Sequence, residues 1–289
     1  MSDNLSNINW YPGHMTKALR QMKEDIKLID LIIEIIDARI PLSSRNPDID
    51  ELGKNKSRIV LLNKADLSDP KDNKEWIEYF KKKGVYALEI DARNKKTLRP
   101  INDLVKEACR EKIEKDQKRG IINRPVRAMV VGIPNVGKST FINSFAAKAC
   151  TKTGNKPGVT KGKQWIRLNK DLEFLDTPGI LWPKFESQKV GLNLALVGSI
   201  NDEILHADEL AYLLIGFLKE NYVDTISQRY GIVLEENKSE IKILEEIAVK
   251  RNYVIKGGLP DIDKAASSLI DDLRSGRLGR ITLEKSGER

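Results

Sequence analysis

Residues 132–139 read Gly-Ile-Pro-Asn-Val-Gly-Lys-Ser, an instance of G-x-x-x-x-G-K-[ST]. An apolar strand-like run, Val126–Gly132, leads in, and a helical stretch opens at Lys138. A chance match is expected in roughly one chain per hundred of this length, and the strand–loop–helix context makes coincidence rarer still. The order has a physical reason. Glycines let backbone N–H groups turn inward around an anion, and the helix that follows aims its positive N-terminal end at the same place. Lys138 can then reach β- and γ-phosphates and the Ser139 hydroxyl can hold Mg²⁺, with Val136, Gly137 and Thr140 lining the same loop. The expectation is a nucleotide-binding α/β domain with a mostly parallel sheet flanked by helices.

The base is read elsewhere. Asn63-Lys64-Ala65-Asp66 follows the strand-like run Arg58–Leu62 and fits N-K-x-D. The Asp66 carboxylate can accept two N–H donors from a guanine edge, while the Asn63 amide meets N7 and O6. Adenine would leave the carboxylate unpaired, and sites of this kind reject misfits by about 10⁴. A metabolic P-loop kinase is therefore disfavoured. Asp91-Ala92-Arg93, after the run Val85–Ile90, is a weaker match to an element whose backbone N–H approaches the guanine carbonyl. Asp176-Thr-Pro-Gly179 ends the run Leu172–Asp176; there Asp176 would hold Mg²⁺ through water and the Gly179 N–H would meet the γ-phosphate. Thr160, between the two phosphate motifs, is the candidate loop threonine that caps Mg²⁺.

The base-reading elements precede the phosphate loop, the reverse of ordinary small GTPases. Circular permutation accounts for this without changing the pocket, and residues Ile101–Arg124 are long enough to rejoin the old ends. One mechanical consequence follows: the chain after Gly179 runs straight into the C-terminal region, so nucleotide state can be transmitted there by covalent connection.

Up to about residue 185, strands (Leu31–Ala38, Arg58–Leu62, Val85–Ile90, Val126–Gly132) alternate with helices, one of them spanning Ile101–Lys118. Gly162–Leu168 and Leu172–Asp176 read as a hairpin. Beyond Trp182 the pattern becomes helical, with helices over Val190–Ser199, Glu203–Asn221, Asp224–Tyr230, Lys238–Arg251 and Asp261–Ser275. Two domains are expected: 1–185, a permuted nucleotide domain with an N-terminal loop and helix, and 186–289, a smaller all-α unit. The net charge of +8 favours contact with phosphate backbones. Two isolated cysteines, Cys109 and Cys150, suggest neither a disulfide framework nor zinc. No apolar run is long enough to span a bilayer and the N-terminus lacks a secretory layout, so a cytoplasmic protein is expected.

The permuted order, taken with Trp10–Ala18 (WYPGHMTKA), Asp37–Pro41 (DARIP), GIPNVGKST, DTPGI and Ser275–Glu284 (SGRLGRITLE), resembles the ribosome biogenesis GTPase A (YlqF) family over essentially the whole chain. The resemblance implies a bacterial GTPase acting late in large-subunit (50S) assembly. It also implies stimulation by ribosomal particles and C-terminal helices that dock on rRNA, with ribosomal proteins as further partners. The basic C-terminal residues Lys242, Lys250, Arg251, Lys256, Arg274, Arg277 and Arg280 can serve that docking. Ile180 stands where many small GTPases carry a water-orienting glutamine. His14 is the candidate to replace it, since a neutral imidazole can orient or deprotonate water and the resemblance supports a catalytic role for this histidine. His206 is read as structural. In related GTPases lacking the glutamine, the residue matching Asn135 helps coordinate K⁺, and Asn135 is the candidate here. The competing reading is a nucleotide-gated RNA- or protein-binding module in which hydrolysis only resets the state.

Overall fold

The structure is a computed structural model that describes residues 20–122, 124–146, 165–175, 187–200, 206–235 and 237–287. Its centre is a six-stranded sheet. In chain order the strands are β1 (Leu31–Asp37), β2 (Ser57–Asn63), β3 (Tyr86–Glu89), β4 (Val126–Val131), β5 (Trp165–Arg167) and β6 (Leu172–Leu175), and in space they run β3-β2-β1-β4-β6-β5. All neighbours are parallel except β5 and β6, which form the expected hairpin with Trp165 opposite Leu175. A parallel sheet is covered on both faces, so its strands read as apolar runs without alternation. All seven β1 residues are buried, and so are β2 from Ile59 onward and β4 apart from Arg127.

One charge sits inside β1. Glu34 is 1% exposed and accepts from Arg45 at 3.0 Å and Arg58 at 3.0 Å. A buried carboxylate is tolerated when it is paired in this way.

The covering helices depart from the sequence reading in two places. Pro47–Leu52 (α1) is absent from that reading, although its start carries helix signals: the Asn46 side chain accepts from the Asp48 N–H at 3.0 Å, and Pro47 follows. The expected helix over Ile101–Lys118 is two helices, α3 (Ile101–Ala108) and α4 (Arg110–Lys118), broken at Cys109 (φ −104°, ψ 11°). The break lets α3 bury Ile101 and Val105 while no residue of α4 is buried. Burial pushes the Cys109 thiol up to about 11, which makes it a packing group rather than a reactive one. Pro70–Lys82 lies between β2 and β3 as α2, capped by Asp69, whose side chain accepts from the Lys71 N–H at 2.8 Å.

The helix after the glycine loop is α5 (Lys138–Ala146). The C-terminal region holds α6 (Gln188–Leu196), α7 (Ala207–Asn221), α8 (Asp224–Tyr230), α9 (Glu240–Lys250) and α10 (Ile262–Arg274). Leu210, Leu214, Ile243, Ile247, Ala265 and Leu269 interlock between α7, α9 and α10, with alanines on α10 allowing close approach. His206 precedes α7 as its exposed N-cap residue and makes no side-chain cap bond.

After α10 the chain stops being helical and returns to the sheet side. The Leu283 N–H donates to the Arg39 carbonyl at 2.8 Å, and the Trp76 indole N–H donates to the Glu284 carbonyl at 3.0 Å. The Glu284 carboxylate accepts from the backbone of Leu42 at 2.7 Å, from both groups of Ser43 and from Asn193 of α6 at 3.0 Å. Lys285 pairs with Asp72 at 2.6 Å. Residues 280–285 therefore form a strap across the loops after β1 and β2.

Candidate nucleotide site

Ligands in open parallel sheets bind beyond the carboxyl ends of the strands. Here β1, β2 and β4 end at Asp37, Asn63 and Val131, and the described candidate residues gather there. The loop 132–139 needs glycine in two places. At Gly132, φ is +157° and an added Cβ would lie 2.4 Å from the Ile35 carbonyl oxygen; at Gly137, φ is +97° and an added Cβ would lie 2.4 Å from the Asn63 amide nitrogen. Asn135 adopts the left-handed conformation, φ 59°.

Lys138 is buried and turns back on its own loop. Its Nζ donates to the Gly132 carbonyl at 3.0 Å and the Ile133 carbonyl at 2.9 Å. These bonds place a cation over the loop centre, where phosphate oxygens can replace the two carbonyls as partners. Ser139 and Thr140 are exposed in the first turn of α5. Among the described residues there is no cluster of three His, Cys, Asp or Glu able to hold a metal by itself. The exposed Ser139 hydroxyl is a donor that suits Mg²⁺, which takes one or two protein oxygens and completes its octahedron with phosphate and water.

The two motif halves meet through Asn63, a buried residue. Its Nδ2 donates to the Val136 carbonyl at 2.7 Å, and its Oδ1 accepts from the Ala92 N–H at 2.9 Å. One side chain thus ties the end of β2 to the phosphate loop and to the loop after β3. The sequence reading gives Asn63 to the base alone; this bracing depends on contacts 73 and 29 positions away, which no local pattern announces.

Asp66 is one-third exposed and bonded by Arg93 at 2.6 Å, while Arg93 also reaches Asp91 at 3.1 Å. Arg93 therefore links the loop after β2 to its own loop after β3 by charge. Lys64, at φ 60°, turns its ammonium 3.0 Å from the Asp37 carboxylate. Asp37 in turn holds buried Arg39 through two side-chain bonds of 2.9 and 2.8 Å. Burial alone would push the Asp37 carboxyl up; Arg39 and Lys64 outweigh it and hold it below the usual carboxylate range. A depressed carboxylate contributes stability above its unfolded value and loses it only as pH falls through the lower folded one. Asp37 and Arg39 lie in the DARIP stretch, to which the sequence reading assigns no role.

Asn135 lies exposed at the loop's edge and donates its amide N–H to the Gly198 carbonyl at 2.8 Å, joining the phosphate loop to the turn after α6. His14, Thr160, Asp176, Gly179 and Ile180 lie outside the described residues. The last described residue before Asp176, Leu175, pairs with Met129 of β4, the strand that feeds the phosphate loop. A cavity of about 560 Å³ lined by Lys106, Arg110, Ile113, Arg124 and Asp171 among others shares no residue with loops 63–66, 91–93 or 132–139. It is therefore not the site those loops form.

Comparison with known proteins agrees with this geometry. Residues 127–246 match the family described as "50S ribosome-binding GTPase". The chain is 46% identical over 281 residues to ribosome biogenesis GTPase A of Bacillus cereus, covering 97% of this chain and 95% of that protein. It is 34% identical over 278 residues to the Thermotoga maritima protein of the same name, covering 96% and 94%. The crystal structure of GNP-bound YlqF from T. maritima superposes with a TM-score of 0.64 at 30% identity, over 94% of this chain and all of that one.

Proposed function

This chain belongs to the ribosome biogenesis GTPase A family, and from that premise we propose that it uses GTP hydrolysis to time its release from a cytoplasmic precursor of the large ribosomal subunit. It is a GTPase, converting GTP to GDP and phosphate. The observation that carries the reading is the Asn63 brace, which sets a base-reading loop and a phosphate loop side by side although the chain visits them in permuted order.

In the proposed site the inward N–H groups of residues 135–139 hold the phosphates. Lys138 exchanges its carbonyl partners for phosphate oxygens. Asp66 accepts from the guanine edge and Ala92 faces the guanine carbonyl. Ser139, with Thr160 and Asp176, would hold Mg²⁺, which when bound neutralises charge on the transferring phosphate. The γ-phosphate is sensed at Gly179. Asn135 donates its N–H to Gly198, so Oδ1 is the atom it can offer to K⁺; equal rates in Na⁺ and K⁺ would remove K⁺ from the scheme. We assign 1–185 to the GTPase unit and 186–289 to docking on rRNA and ribosomal proteins. The net charge of +8 belongs to the chain as a whole and favours contact with phosphate backbones without singling out 186–289.

The deciding measurement is GTP turnover with and without purified large-subunit particles. Turnover that rises with particles supports the timing role. A rate indifferent to them would favour a nucleotide-gated binding module. In this reading His14 orients the water, the Ile180 side chain being unable to form hydrogen bonds. His14→Ala is expected to lower particle-stimulated turnover by about 10²-fold, the lower range for a lost general base, with GDP affinity intact. Unchanged stimulated turnover would remove His14 from the chemistry.

A further inference from the structure

We propose that Arg280, on the C-terminal strap, is a positioning residue for guanine recognition; the inference rests on the assignment of Asp66 to the base. Residues 64–69 form the loop that carries Asp66 from β2 to α2, and little in its own sequence fixes its shape. Within the loop the Ser68 hydroxyl makes a long 3.4 Å bond to the Ala65 carbonyl, and two shorter bonds add to it. The Leu67 N–H donates to the Lys64 carbonyl at 2.9 Å, and the Ser68 hydroxyl bonds the Asn73 side chain at 2.7 Å. On the sheet side, the Ala65 N–H donates to the Ile90 carbonyl at 3.1 Å.

Four further bonds to the loop come from the strap. Arg280 donates from Nη2 to the Ala65 carbonyl at 2.6 Å and from Nε to the Ser68 carbonyl at 2.7 Å. The Ile281 N–H donates to the Leu67 carbonyl at 2.9 Å, and the Asp69 N–H donates to the Thr282 hydroxyl at 3.0 Å. One guanidinium fork therefore spans the loop, holding a carbonyl on each side of Asp66. The Ala65 carbonyl belongs to the peptide that leads into Asp66, so its orientation sets where the carboxylate points. A planar fork with two donors fixes two acceptors at once, which a single ammonium cannot do.

The strap does not depend on Arg280 for its own position. Leu283, Glu284, Trp76 and Lys285 anchor it through the bonds described above. Arg280 is itself solvent-exposed. Its removal should loosen the Asp66 loop while the strap stays seated.

The test uses the full chain and titration calorimetry with GDP and with inosine diphosphate, which lacks the exocyclic amine that Asp66 reads. Arg280→Ala is expected to weaken GDP by about tenfold and inosine diphosphate by less than about twofold, the size of one lost charge-assisted restraint. The GDP-to-inosine ratio then falls, KM for GTP rises and kcat at saturation holds. Arg280→Lys should give an intermediate ratio. Lys285→Ala, which trims the strap away from the loop, should leave the ratio unchanged. A wild-type ratio in Arg280→Ala overturns the proposal; if that variant does not fold, a wild-type ratio in Arg280→Lys overturns it equally. Should the unmodified protein fail to prefer GDP over ADP, the failure lies with the pocket assignment and not with Arg280.

Discussion

Asp66→Asn is expected to weaken GDP by about 10³–10⁴-fold and to make xanthosine diphosphate the better ligand, in line with the discrimination available to a site built on paired hydrogen bonds. In the proposed site the carboxylate accepts from two N–H groups on guanine. An amide in its place turns one of its own N–H groups toward one of them, so a hydrogen bond is lost and two donors are left facing each other. Xanthine carries a carbonyl where guanine carries the amine, and that carbonyl accepts from the new amide. The neighbourhood supports this role. Asp66 is already held by Arg93 at 2.6 Å, and the loop after β3 that supplies Arg93 also supplies the Ala92 N–H braced by Asn63. Calorimetric titration of both nucleotides into the variant gives the answer. A loss of GDP binding without tighter binding of xanthosine diphosphate would mean that the substitution disturbs the loop rather than the reading of the base.

The second large effect is on stability. Trp76 is 1% exposed on α2, edge-on to Tyr79 at 5.0 Å and tilted against Phe80 at 6.2 Å. Its indole N–H is also the anchor for the Glu284 carbonyl, 208 residues away. Trp76→Ala should cost about 3–5 kcal/mol, the range for emptying a buried aromatic site. Trp76→Phe, which keeps most of the apolar area and loses the hydrogen bond, should cost about 1–3 kcal/mol from the carbonyl left unsatisfied. Urea unfolding followed by far-ultraviolet circular dichroism measures both. A midpoint within error of the parent for Trp76→Ala would show that the strap and α2 are not joined in the way the geometry requires.

Most of the sheet was legible in the sequence because each of its signals is local. The runs LIIEIIDA, RIVLL and VRAMVVG are apolar without alternation, as buried parallel strands are, and the glycine loop sits where the backbone must turn. The hairpin followed from alternation around Asn169–Asp171. The break at Cys109 was not legible, because both halves of Ile101–Lys118 carry good helix formers and only the packing of Ile101 and Val105 sets them apart. The strap was visible only as a motif. Gly276 and Gly279 mark turns (φ +76° and +96°), but nothing nearby says that Glu284 reaches Leu42 and Ser43. The sequence proposes residue types for the base site, whereas Asn63 as a brace and Arg93 as a partner of Asp66 depend on neighbours supplied by other strands.

Gly137 and Asn63 pack closer than a methyl group allows, with 2.4 Å from a hypothetical Cβ to the amide nitrogen. Neither residue can drift: φ of +97° strains any side chain at 137 whatever stands at 63, and a smaller residue at 63 strands the Val136 carbonyl. Recombining the nucleotide halves of two related enzymes would therefore succeed only where one parent supplies glycine at 137 and the other asparagine at 63.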